Sequence, residues 1–71
     1  MGMVKKISVT VMPEMSTRIE NWLMGRNIDY EVEVVRTTKR TRLKIIAGFR
    51  SDESGKHHVE VYKRFLERLT K

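Results

Sequence analysis

Apolar side chains alternate with polar ones near the start of the chain. Ile7, Val9 and Val11 are interleaved with Ser8 and Thr10, the period-two pattern of a strand with one buried face. Pro13 stops that strand. Thr17, followed three residues later by Glu20, reads as a capping box, in which each side chain satisfies a backbone N–H at a helix start. The helix it predicts puts Ile19, Trp22 and Leu23 on one side and ends at Gly25 or Asn27, either of which tolerates the left-handed conformation. At about ten residues it cannot stand alone and must lean on a sheet.

Two further alternating runs follow, Tyr30–Val34 and Arg42–Ala47. Folding them as a hairpin about Thr38-Lys39 sets Val34 opposite Leu43, Val32 opposite Ile45 and Tyr30 opposite Ala47, all on one face. On the other face Glu33 meets Lys44, a favourable cross-strand pair. An odd loop would set apolar against charged residues, so a loop of two or four is expected. Thr37-Thr38-Lys39-Arg40 holds neither Gly nor Asn, which disfavours a tight primed turn and points to a mobile tip. A last helix is expected after a Ser51 cap, with Gly55 delaying its start to Lys56. Val59, Tyr62, Phe65, Leu66 and Leu69 form its apolar side. The order strand, helix, strand, strand, helix predicts an α+β fold: a two-layer β-α-β-β-α sandwich with both helices on one face of a three-stranded sheet. The other face keeps Ser8, Thr10, Glu31, Glu33, Val35, Arg42, Lys44 and Ile46.

The chain has 71 residues and no cysteine. That is one small domain, read as residues 3–71 with Met1-Gly2 as a cloning remnant, and it buries only about 60 % of its unfolded surface. Disulfides and thiolate metal sites are excluded. No apolar run approaches the roughly 20 residues of a membrane span, and no secretory leader is recognisable, so the cytoplasm is the expected location.

Charge position changes the picture more than composition does. The formal net charge is +6. Between Val34 and Ser51 stand Arg36, Lys39, Arg40, Arg42, Lys44 and Arg50, with no acid among them, while the other nine basic residues match nine acidic ones. The net charge thus falls on the hairpin, a phosphate-binding surface in outline. The competing explanation is a solvated tip that keeps an edge strand from pairing. Arg36, Lys39, Arg40, Arg42 and Lys44 are the first candidates for nucleic-acid contact. Lys56, His57 and Arg64 on the last helix are the second.

Other chemistry is sparse. Trp22, Tyr30, Phe49, Tyr62 and Phe65 all fall on expected core faces, leaving no stacking platform for bases. His57 and His58 point about 100° apart on a helix, unlike the i,i+4 pairs of zinc helices. His58 is expected half-buried and His57 solvated. There is no glycine-rich phosphate loop, nucleophile elbow or carboxylate cluster, so no enzyme activity, metal or cofactor is expected.

The order of elements, with Ile45-Ile46-Ala47-Gly48-Phe49 as the second hairpin strand, resembles the small DNA-damage-inducible inhibitors of recombinase. Their last helix is strongly acidic, whereas here it carries a basic excess. Ser54-Gly55-Lys56-His57-His58 resembles the start of the last helix in double-stranded-RNA-binding domains. Neither likeness transfers residues. The expectation is a small basic nucleic-acid-binding protein, RNA ranked ahead of DNA, gripping the phosphate backbone. The alternative is an inhibitor or antitoxin-like module, of a size phages and mobile elements encode, that docks on an acidic host protein or ribonuclease, with bound RNA as one bridge. Both sheet edges remain open for pairing with a second copy, guarded only by charge.

Overall fold

Five elements form where the alternation and the helical spacing place them. The computed structural model describes residues 4–69 and holds strand β1 (Val4–Val11), helix α1 (Pro13–Gly25), strand β2 (Tyr30–Arg36), strand β3 (Thr41–Arg50) and helix α2 (Glu53–Leu69). The remnant read at Met1-Gly2 lies outside the described residues. β3 is the central strand, antiparallel to both β1 and β2. β1 and β2 therefore run parallel to each other, and α1 carries the chain from one sheet edge to the other, a split β-α-β arrangement.

The hairpin has the expected register. Val34 faces Leu43, Val32 faces Ile45, Tyr30 faces Ala47 and Glu33 faces Lys44. Arg36 pairs with Thr41, which leaves a loop of four residues, 37–40. Both helices seat on the central strand. Ile19, Leu23, Ile28, Ile45, Ala47, Phe49, Val59 and Tyr62 form the core beneath them. Burying side chains of this kind contributes roughly 1.5–3 kcal/mol each for the larger ones.

Four local expectations are corrected. Helix α1 starts at Pro13, not at a Thr17 cap, and runs for 13 residues. Proline at the first helical position has no N–H to satisfy and a φ already set for the helix, so no side-chain cap is needed. The Met12 carbonyl accepts from the N–H groups of Met15 and Ser16, and Glu20 accepts from the Ser16 hydroxyl at 3.1 Å instead of capping. Helix α2 is capped by Asp52, not Ser51: the Asp52 Oδ1 accepts from the Gly55 N–H at 2.8 Å. It starts at Glu53 and absorbs Gly55 into its first turn. Lastly, Val32 and Val34, assigned to the covered face, are 38 % and 61 % exposed, because the helices sit on the central strand and leave this edge uncovered.

The end of α1 follows the sequence more closely. Asn27 has φ 58°. The Asn27 N–H bonds to the Met24 carbonyl and the Ile28 N–H to the Leu23 carbonyl, which is the Schellman pattern, with Ile28 and Leu23 meeting in the core.

An aromatic cluster joins the helices to β3. Trp22 stacks on Phe65 at 5.2 Å and lies 5.4 Å from Tyr62, which is itself 5.2 Å from Phe49. The Tyr62 side chain is fully buried and its hydroxyl has no hydrogen-bond partner among the described residues. Burial alone pushes its pKa up to about 12. Because the folded pKa lies above the unfolded value, the Tyr62 contribution to stability is constant below about pH 10 and is lost as the pH rises from there through about 12. An unsatisfied buried hydroxyl costs about 1–3 kcal/mol. Tyr62→Phe is therefore expected to raise the thermal midpoint and to remove that alkaline loss; a lowered midpoint would mean that the hydroxyl is satisfied.

Candidate nucleic-acid interface

The hairpin end is assembled from three kinds of position. Arg36 ends β2, Lys39 and Arg40 stand in the loop, and Arg42 and Lys44 lie on β3 with side chains on the sheet face away from the helices. Arg36, Lys39, Arg40 and Arg42 are exposed, and Lys44 is half-buried. Strand alternation places Arg42 and Lys44 on that face, since the intervening Leu43 turns toward the helices.

The loop closes without a left-handed residue, as Asn27 supplies the one positive φ among the described non-glycine residues. Thr37 takes over the turn. Its N–H bonds to the Arg40 carbonyl at 3.0 Å, its hydroxyl donates to the same carbonyl at 2.7 Å, and it accepts from the Arg40 N–H at 3.1 Å. A side-chain clamp thus replaces the Asn-Gly turn that tight hairpins favour. Thr37→Val keeps the shape and removes the hydroxyl. It is expected to cost about 1 kcal/mol, read as a lower thermal midpoint and faster amide exchange at residues 38–41; unchanged exchange would show that the clamp does not hold the tip.

Neighbouring acids shape what this end can do. Lys44 lies between Thr10 on β1 and Glu33 on β2, and Ile46 lies between Ser8 and Glu31. The β2 column of the open face is acidic, so a polyanion laid flat across it would meet Glu31 and Glu33. The loop and the first residues of β3 are free of acids. Electrostatics therefore favours approach at the tip, end-on.

The second-rank residues lie elsewhere. Lys56 and His57 are exposed early in α2, which follows the end of β3 remote from the tip. Ten residues of strand separate the two ends by about 30 Å at a rise of roughly 3.3 Å each. Arg64 is exposed about two turns farther along α2. Arg50 ends β3 and so belongs to the remote end, which corrects its inclusion in the hairpin charge. His57 is exposed and His58 half-buried, their rings 6.2 Å apart.

A group missed by reading along the chain appears at that remote end. Lys5, Arg50, Lys56 and Lys63 line one cleft of about 330 Å³. A linear window cannot see it, because Lys5 stands 45 residues before Arg50, and acids close in sequence to Arg50, Lys56 and Lys63 offset their charge. The seven-residue spacing of Lys56 and Lys63, which places both on one helix face, was the available signal.

All five aromatics pack on the helix side of the sheet, Phe49 and Tyr62 buried and Trp22, Tyr30 and Phe65 against them. Arg26 lies 4.0 Å above the Trp22 ring. The Tyr30 pKa is raised, first by burial, then by the Glu20 charge and the hydrogen bond to it, a polar tie between β2 and α1. Among the described residues no three of His, Asp or Glu are grouped to hold a metal ion, and no helix is long and apolar enough to cross a membrane. Compared with known protein families, curated proteins and solved structures, the chain matches none.

Proposed function

We propose that the protein binds nucleic acid end-on through its β-hairpin, gripping the phosphate backbone with Arg36, Lys39, Arg40, Arg42 and Lys44. One observation carries the reading: five cationic residues stand at the hairpin end of the sheet, Arg36 closing β2 on the helix-side face, Lys39 and Arg40 in the loop, and Arg42 and Lys44 on the open face of β3, with no acid between Arg36 and Lys44. The inward packing of all five aromatics supports contact with backbone and shape in preference to base stacking. RNA ranks ahead of DNA, because shape and backbone recognition is how double-stranded RNA is commonly read.

Fluorescence anisotropy with labelled single-stranded RNA, double-stranded RNA and double-stranded DNA tests the proposal at low and physiological salt. Micromolar or tighter binding that weakens linearly in log salt is expected, strongest for RNA. No binding to any of the three would overturn it.

A second reading draws on the uncovered edge. Val32 and Val34 are exposed beside the hairpin, whereas Val35 and Ile46 on the open face are half-buried. An apolar strip next to a basic tip suits docking on an acidic protein, the inhibitor-like or antitoxin-like role. Association that persists at high salt would favour that role.

A further inference from the structure

The end of the sheet remote from the hairpin carries its own concentration of positive charge. Lys5 lies near the start of β1, paired with Phe49 on β3, and Arg50 ends β3 beside it. Lys56, Glu60 and Lys63 follow at spacings of four and three on α2, so they share one face of the helix. Together with Ser51 and Val59 these residues line the cleft of about 330 Å³, leaving it four cations against one carboxylate.

We infer that this cleft is a second anion site that takes a compact phosphate group carrying two or more negative charges, a terminal phosphomonoester or a pyrophosphate. Four cations from three separate elements converge on one concavity, an arrangement that a counter-anion of high charge density stabilises. The Arg50 guanidinium offers a planar fork suited to two phosphate oxygens, and each lysine offers three donors from a point charge. The volume lies at the small end of the roughly 300–1,000 Å³ range of ligand sites. Val59 is its apolar wall, and no aromatic ring lines it, so it offers a base no stacking surface. A phosphodiester brings one charge and chain on both sides, whereas a terminal group brings two and enters from one side. The inference stands apart from the hairpin reading, because the two sets of cations share no residue.

Calorimetric titration with pyrophosphate at low ionic strength tests it directly. Wild-type protein is expected to bind, and Lys56→Glu with Lys63→Glu should weaken binding roughly tenfold or more. Both lysines are exposed, so the double variant should unfold at the wild-type temperature. If its midpoint falls, Lys63→Gln provides the same comparison with less perturbation. The hairpin variant Lys39→Glu, Arg40→Glu, Arg42→Glu should keep wild-type affinity for pyrophosphate, which separates this site from the first. Two sources supply such a group, a free phosphate compound or the 5′ end of a strand. A 5′-phosphorylated oligonucleotide binding the hairpin variant more tightly than its 5′-hydroxyl form identifies the strand end; equal binding, with pyrophosphate still bound, identifies the free compound. Absence of pyrophosphate binding, or equal binding by wild type and the double variant, overturns the inference.

Discussion

Lys39→Glu, Arg40→Glu and Arg42→Glu together are expected to weaken RNA binding by roughly a hundredfold or more at low salt, with the fold intact. Each substitution removes a cation from the hairpin end and adds an anion that repels phosphate. All three side chains are exposed and none belongs to the core. The Thr37 clamp that shapes the loop uses only backbone atoms of Arg40, so it survives a change of side chain there. The thermal midpoint should therefore stay near that of wild type, read by circular dichroism on the sample used for binding. A triple variant that binds RNA as tightly as wild type would show that the hairpin is only a solvated tip. One that has unfolded would be replaced by Lys39→Gln with Arg42→Gln, expected to weaken binding less but in the same direction.

Gly55→Ala is expected to destabilise the protein by about 1–3 kcal/mol or more. Helix propensity taken alone predicts the opposite, since alanine exceeds glycine by about 1 kcal/mol in a helix interior. Space decides the sign. Gly55 is buried in the first turn of α2, and a Cβ there would collide with the backbone carbonyl group of Arg50 and lie 2.9 Å from its Cα. The obstacle is backbone, with no flexible tip to swing aside, so either the end of β3 or the start of α2 must move. Moving them also disturbs the Asp52 cap on the Gly55 N–H. In a domain of this size a loss of 1 kcal/mol lowers the midpoint by roughly 4–8 °C. A midpoint equal to or above that of wild type would mean that the close approach of α2 to β3 is not a feature of the folded protein.

The contrast between these two sites shows what a single sequence can reveal. The hairpin was legible because its constraints are local and mutually checking. Alternation fixes which side chains share a face, loop parity fixes the register, and the Glu33–Lys44 pairing agrees with both. The left-handed end of α1 at Asn27 was legible for a similar reason, as few residues accept a positive φ. Gly55 was not. Its requirement comes from Arg50, whose approach depends on how the β3–α2 connection bends, and in sequence such a glycine reads only as a weak helix residue. The α1 start was misread because two signals competed, a capping box at Thr17 and a proline at the first helical position, and the proline prevails by needing no partner. Val32 and Val34 carry a buried-face pattern but no information on how far the helices reach across the sheet.

Charge was half legible. The acid-free stretch from Arg36 to Lys44 stays together in space because a hairpin keeps sequence neighbours adjacent. The cleft of Lys5, Arg50, Lys56 and Lys63 gathers residues up to 58 positions apart, and the acids close in sequence to Arg50, Lys56 and Lys63 hide those three from any running sum. A basic cluster built by tertiary contact becomes visible only with the strand order and the helix face known.

The most direct test of the central claim is the salt dependence of RNA affinity for wild type and for the Lys39→Glu, Arg40→Glu, Arg42→Glu variant. If the five hairpin cations each hold a phosphate, log affinity should fall with log salt at a slope of about −3.5 to −4.5, and the variant should lose most of that slope with its affinity. Equal slopes in the two proteins would contradict phosphate contact at the hairpin and would place RNA elsewhere on the molecule.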